Sequence, residues 1–400
     1  MSFINELASA DKKGLFNSND NFVSYSTGIL PLDYANGFWL KNEGQTVPVL
    51  GIKGGSFNGI IGDTGTGKST FADQVGYSII KPFEDGALIH IDCELTNYKQ
   101  RMVNIMGTKM LDDRIILKKD AIYIEDVLDM FSRICRLKEE GGNKYKYEVE
   151  QYGKKFLAYV PTVFIIDSLP SFNSREFNVE DEGTNMDGAR GAKDITRFYV
   201  NCLARMEKYN ITIFTINHIK PEVKADRFSQ PPKGLMMLRP GETLTRGQAS
   251  QYYSQNYFRL NAIKSNIYKP DDVGFTGMKN TIQLSKTKTS FVGATMPVAF
   301  NSKIGFDPIY TLYEFASENG LLLGRNPHLY LVGCENFKFS RKEFRHRFLT
   351  DNLFRENFMT NLTPYLEALL GSKDLTEEEQ VEFGDLMMAE EEQVLADLEK

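Results

Sequence analysis

The chain has 400 residues, 42% of them apolar and 25% charged, an ordinary balance for a globular protein and enough length for one large domain with appendages or for two. No run of apolar residues reaches 18, which excludes an apolar membrane-spanning helix, and the start, MSFINELASADKK, lacks the basic-then-apolar pattern of a secretion signal. The net charge of −6 is unevenly spread: Asp374 to Lys400 holds eleven Asp and Glu against one Lys, a net of −10, which leaves +4 on the rest.

The first 24 residues carry one short apolar-periodic run, Phe3, Ile4 and Leu7, and are too short to fold alone. From Gly54 the pattern is strand, glycine-rich turn, helix: SFNGIIGDTGTGKSTFADQVGYSII, with Phe71, Val75 and Ile79 at helical spacing. GALIHIDCEL reads as a second strand and Ile124–Leu137 as an amphipathic helix. Lys138–Lys155, charged and glycine-bearing, reads as an excursion. PTVFIIDSLPSF is a continuous apolar run ending in Asp, the pattern of a strand buried on both faces. A helix over Asp194–Tyr209 follows, then a second buried strand, ITIFTINHI.

Lys220–Gly247 is a long loop with four prolines and recurring basic residues, and loops of that length in compact domains are functional or disordered. Beyond it come TIQLSKTKTSFVG, the strand ATMPVAF, a helix PIYTLYEFASENG closed by Gly320, and a helical, separable segment from about Arg325. Alternating strand and helix predicts an α/β fold, a mostly parallel twisted sheet with helices on both faces. The expected divisions are an arm over 1–24, a core over 25–325 and a helical region with an acidic tail over 326–400. The tail is either a solvated helix or a competitor for whatever anion the basic body binds.

Gly62, Asp63, Thr64, Gly65, Thr66, Gly67, Lys68 and Ser69 fit G-x-x-x-x-G-K-[ST], with a strand before them and a helix, opening through Thr70, after them. Glycines let backbone N–H groups turn inward around phosphate oxygens, Lys68 reaches the β and γ phosphates, and the Ser69 hydroxyl holds Mg²⁺. ATP and Mg²⁺ are the expected cofactors. Asp167, closing the strand VFIID, is the expected partner of the metal or its waters. Glu94, just beyond the strand LIHID, points into the phosphate crevice and is positioned to orient and deprotonate a water; Asp92 is its competitor, or else a buried group bonded to the turn. Asn217 and His218 end their strand at the same sheet edge, which makes His218 a candidate sensor between the γ-phosphate and the long loop. Lys286 and Lys288 fall on one face of a strand by period-two alternation, and two like charges there call for something negative opposite. Cys93, Cys135, Cys202 and Cys334 are scattered without CxxC spacing, so neither a zinc site nor a disulfide framework is indicated, and a reducing cytoplasm fits.

From about Tyr25 to Leu323 these features together resemble the RecA-type recombinases. YSTGILPLDYANG is similar to the family's entry motif, IHIDCE to the strand that presents its catalytic glutamate (Glu94 here), and INH to its Asn-Gln switch, with His218 in place of Gln. YYSQNYFRL and FDPIYTLYEFASENGLL are similar to later family segments. The resemblance implies a RecA-like P-loop ATPase core that forms homo-oligomeric helical filaments on single-stranded DNA and pairs it with homologous duplex DNA, with single-strand-binding and mediator proteins as further partners and no membrane.

It implies that Lys286 and Lys288 act in trans on ATP held by the neighbouring protomer, and that the N-terminal arm docks on the adjacent subunit through Ile4 and Leu7. It implies a first DNA loop near Asn178–Lys193, with Arg190 and Lys193 on phosphates. The second is the 220–247 loop, with Lys220, Lys224, Arg227, Lys233, Arg239 and Arg246. Against the family pattern Lys138–Lys155 and Phe38–Lys53 look like insertions, and for the adenine Tyr98 and Arg101 both remain candidates. Two other readings share the core: a hexameric replicative helicase, and a non-catalytic recombinase paralogue that binds DNA or a partner.

Overall fold

The computed structural model of the chain describes residues 22–42, 45–106, 113–119, 123–175, 185–221, 238–239, 241–245 and 248–371. Its centre is one sheet whose strands are β1 (Phe57–Gly62), β2 (Ala87–Asp92), β3 (Ile115–Lys118), β4 (Thr162–Asp167), β5 (Ile211–Pro221), β6 (Glu242–Leu244), β7 (Asn256–Tyr268), β8 (Gly277–Lys286), β9 (Thr295–Asn301) and β10 (Gly305–Asp307). Their order is β10-β9-β8-β7-β1-β5-β4-β2-β3, with β6 paired to β5 off that path. The six strands from β7 to β3 run parallel; β8, β9 and β10 extend the sheet antiparallel. The expectation of an α/β fold around a mostly parallel sheet holds.

Helices cover both faces because the central strands are apolar on both. On β4, Val163 and Ile165 face one hydrophobic cluster and Phe164 and Ile166 the other. The first face is covered by α1 (Lys68–Ile80), through Phe71, Val75 and Ile79, and the second by α3 (Ile124–Gly141) and α4 (Asn185–Met206), through Phe131, Phe198 and Tyr199. Between them in the chain lies α2 (Lys99–Met106). The later helices are α5 (Gln248–Tyr253), α6 (Pro308–Glu318), α7 (Phe344–Thr350) and α8 (Asn352–Glu367).

Four segments differ from the sequence reading. The helix expected over 194–209 starts at Asn185, so residues 185–193 of the expected first DNA loop are helical. Extending an already packed helix adds a hydrogen bond per residue without a new nucleus, and this outweighs the cost of Gly188 and Gly191. Lys138–Gly141 completes α3, and the rest of that excursion is a turn and the hairpin Lys146–Gln151/Lys154–Tyr159. Phe38–Lys53 holds the hairpin Phe38–Asn42/Gln45–Val49 and the strand Ile52–Lys53, which pairs with Ser24–Tyr25. The segment after Arg325 is not separate: Phe344, Phe348, Phe354, Phe358, Leu362 and Leu366 share one cluster with α1 and the sheet. No described helix is long and apolar enough to cross a membrane.

Candidate nucleotide site

β1 ends at Gly62 and α1 begins at Lys68, so the turn between them delivers a helix N-terminus to the carboxyl edge of the parallel strands. Gly67 stands before the helix at φ +88°, where a side chain is strained, and a Cβ there would meet the Phe300 and Phe306 rings at 3.1 and 3.3 Å. Asn280 steadies the turn by donating to the Thr66 carbonyl at 3.2 Å. Asp63, Thr64 and Gly65 are exposed, Thr66 and Thr70 buried. The first N–H groups of α1 have no partner within the helix, which makes its mouth a site for an anion.

Lys68 folds back into this mouth. Its Nζ donates to the carbonyls of Gly62 at 3.0 Å and Asp63 at 2.9 Å. Burial lowers its pKa, against the pull of Asp167, Glu94 and Asp63. Strand register then sets the acids: Asp167 lies opposite Asp92 across β4 and β2, and His218 opposite Gly62 across β5 and β1. Cys93 N–H donates to the Asp167 carbonyl at 2.6 Å and carries the chain on to Glu94. Glu94 is exposed, accepts from the Ser168 hydroxyl, and lies 3.0 Å from His218 Nε2. Asp92 is consumed by the turn, accepting from Thr96 N–H at 3.2 Å and Asn97 N–H at 2.8 Å. Of the two competitors, Glu94 alone faces the crevice. Asn217 donates to the Thr245 carbonyl at 2.9 Å, which ties this sheet edge to the far side of the long loop.

Asp167 is buried and bonded to the Ser69 hydroxyl. Burial opposes its charge, yet hydrogen bonding and charge from His90, with Ser69 and Asn97, hold its pKa below the usual carboxylate value. Behind it, His90 Nδ1 lies 2.7 Å from Asp73 Oδ1, and Asn97 Nδ2 lies 3.0 Å from His90 Nε2 and 3.4 Å from Asp167 Oδ2. Burial disfavours the imidazolium, but the Asp73 and Asp167 carboxylates outweigh it and push His90 up to about 10. An ionised carboxylate beside a hydroxyl is a hard-oxygen donor pair, suited to Mg²⁺ that keeps phosphate and water as its other ligands. No cluster of three or more His, Cys, Asp or Glu among the described residues could hold a metal by itself.

A cleft of about 950 Å³ opens beside the mouth of α1, lined by Tyr98 and Arg101 on one wall and Phe300, Lys303, Ile304 and Gly305 on the other. Both adenine candidates line it. Tyr98 is exposed and carries Lys119 Nζ 4.8 Å from its ring centre.

The lysine strand departs from simple alternation. β8 stops at Lys286, and a bulge lets Ser285 slip between Leu284, opposite Phe258, and Lys286, opposite Tyr257. Lys286 Nζ donates to the carbonyls of Gln251 and Tyr252 at the end of α5, while Lys288, past the strand, is exposed. Burial, then repulsion from Lys288, pushes Lys286 down to about 8. Lys286 is level with Tyr257 and hence with Gly59, so it sits about 10 Å back from Gly62 along the sheet and two strands to the side.

Among the DNA candidates, Lys193 on α4, Lys220 at the end of β5 and Arg239 are exposed. Arg190 lies on α4, its side chain outside the described residues, as are Lys224, Arg227, Lys233, Arg246, Ile4 and Leu7. Sequence reasoning missed Ser168, His90, Asp73 and Asn97. The available signals were a histidine inside an apolar strand and an aspartate four residues after Ser69 on one helix face. No protein-family model matches the chain, and no curated protein does.

Proposed function

We propose that the chain is a RecA-type DNA-dependent ATPase that polymerises on single-stranded DNA as a helical filament and catalyses homologous pairing and strand exchange. Of the family, it most resembles the T-even phage strand-exchange protein UvsX. The observation that carries the reading is the convergence of Lys68, Ser69, Asp167, Glu94 and His218 at the carboxyl edge of four neighbouring strands around one helix N-terminus, although β5 runs three residues past His218 instead of ending there. Gly62 to Thr70 would receive a triphosphate, with Lys68 leaving its carbonyl partners for phosphate oxygens. Ser69 and Asp167 would hold Mg²⁺, which when bound offsets the phosphate charge. Glu94 would orient the attacking water and take its proton, and the 950 Å³ cleft would take the base. His218 and Ser168 restrain Glu94, so a change in the loop that follows β5 has a direct route to the base.

The position of Lys286 supports a trans role, because the hairpin end that holds it points away from the chain's own phosphate mouth. Lys193, Lys220 and Arg239, with their neighbours in the long loop, would meet DNA phosphates, which makes binding insensitive to base sequence and sensitive to salt. The reading implies homologous duplex DNA, single-strand-binding proteins and mediators as partners and the cytoplasm as the place of work, a host's if a phage carries the gene.

Negative-stain imaging with ATP, Mg²⁺ and single-stranded DNA, beside a hydrolysis assay, tests it. The expected result is helical filaments and DNA-stimulated hydrolysis, with Glu94→Gln still binding nucleotide but cutting it at least about 100-fold more slowly. Rings would favour the helicase reading, and DNA binding without hydrolysis the non-catalytic paralogue.

A further inference from the structure

Strand parity puts Leu88, His90 and Asp92 of β2 on the face toward α1, while Ile89 and Ile91 face the other cluster. On β4, Ile165 shares its face with Asp167, and the register sets Ile165 beside His90. On α1, Asp73 follows Ser69 by four residues, one turn along the same face. His90, fully buried, therefore stands between Asp73 at 2.7 Å and the pair Asn97 and Asp167 at 3.0 and 3.6 Å. Through Asn97, whose backbone N–H is held by Asp92, the same chain of contacts reaches the turn that carries Glu94.

Burying a histidine–aspartate pair is a poor route to stability, since apolar side chains of similar size fill such space at less cost. What the pair does supply is orientation. Asp167 has two oxygens and one approach to Ser69, and an unsupported carboxylate rotates. We propose that His90 is a positioning residue for the metal site: braced by Asp73, it fixes the Asp167 carboxylate in the attitude that holds Mg²⁺ beside Ser69. This rests on the nucleotide-binding reading of the site. Partners of this kind behind a metal ligand typically matter by about 10–100-fold in metal affinity.

The test uses the full chain and a non-hydrolysable ATP analogue, adenylyl imidodiphosphate, and measures its affinity in EDTA and during Mg²⁺ titration by calorimetry. For His90→Phe, affinity in EDTA should stay within about twofold of the parent, and the Mg²⁺ midpoint should rise about 10-fold or more. His90→Gln keeps a polar atom near the Nε2 position and should recover more of the midpoint than His90→Asn, which reaches only Asp73. If His90→Phe does not fold, Asp73→Leu/His90→Phe takes its place, because it leaves neither polar group orphaned. A folded variant whose Mg²⁺ midpoint matches the parent overturns the proposal, as does better recovery with Asn than with Gln. A parent chain that binds no nucleotide in either condition overturns the function reading itself, and the inference with it.

Discussion

Lys138 is an ammonium group almost without water. It falls on the apolar stripe of α3 with Ile124, Val127, Phe131 and Cys135, and its Nζ donates to the carbonyls of Val160 at 2.7 Å and Tyr209 at 2.8 Å. Burial pushes it down to about 7, against a small opposing pull from Cys135. The unfolded chain keeps the proton up to about 10.5, so between pH 7 and that value the unfolded state binds more protons and stability rises with pH. Below pH 7 both states are charged and the slope vanishes. Lys138→Met should flatten the rise, by up to about 1.4 kcal/mol per pH unit within the window, in urea unfolding of parent and variant from pH 6.5 to 9.5. A parallel pair of curves would mean that the buried amine keeps its proton. In the sequence Lys138 looked like the first residue of an excursion, because Lys138–Lys155 is charged and glycine-bearing; only the helical phase marks it as different. The glycine-rich turn Gly62–Ser69 was legible for the opposite reason, since positive φ at Gly65 and Gly67 favours glycine at fixed spacing and leaves a pattern in the letters. The His90 pair left none, because two residues 17 apart meet only once a strand has been laid on a helix.

Among elements, Asp307 is a polar link between the last helices and the sheet, beside the apolar cluster they share. It ends β10, caps α6 by accepting from Ile309 N–H at 3.0 Å and Tyr310 N–H at 3.1 Å, and receives Arg345 Nε of α7 at 2.6 Å. Its side chain is fully buried, so removing it orphans two helix donors and releases the partly exposed Arg345 guanidinium to water. Asp307→Ala should cost about 2–4 kcal/mol in chemical unfolding while nucleotide binding in the surviving folded fraction stays unchanged. A loss below about 0.5 kcal/mol would show that α7 docks by its phenylalanines alone. Elements with a clear pattern, such as the continuous apolar run of β4 and the helical stripe of α3, were read correctly from their residues. The ends were not: α4 began nine residues early, and β8 stopped two residues short of Lys288 at a bulge. Periodicity describes the middle of an element, whereas its limits depend on what packs beside it.

At the scale of the whole molecule, the candidate phosphate mouth and the lysine hairpin occupy different edges of one sheet. A contact that joins one edge to the other in the next copy is head-to-tail, and such contacts build rings or open helices. Mixing tests this arrangement. On the proposed reading, Lys286→Ala/Lys288→Ala keeps a sound phosphate mouth with a bare trans face, and Lys68→Ala has the reverse. In the mixture, one orientation brings the two sound halves together, so hydrolysis should exceed the sum of the separate mutants, each reduced by up to about 10³-fold. A mixture that shows only the sum, with co-assembly confirmed, would confine the lysines to their own protomer. The mostly parallel sheet was legible in the alternation of strand and helix, but the join between core and C-terminal helices was hidden, because phenylalanines spaced along a helix do not name their partner. That join extends to the hairpin Phe38–Asn42/Gln45–Val49, where Trp39 Nε1 donates to the Gly371 carbonyl at 3.2 Å. Trp39 is the chain's one tryptophan. The molecule thus carries a built-in optical reporter: emission excited at the red edge of the aromatic band comes from this corner alone, and its colour tracks whether residue 371 stays docked.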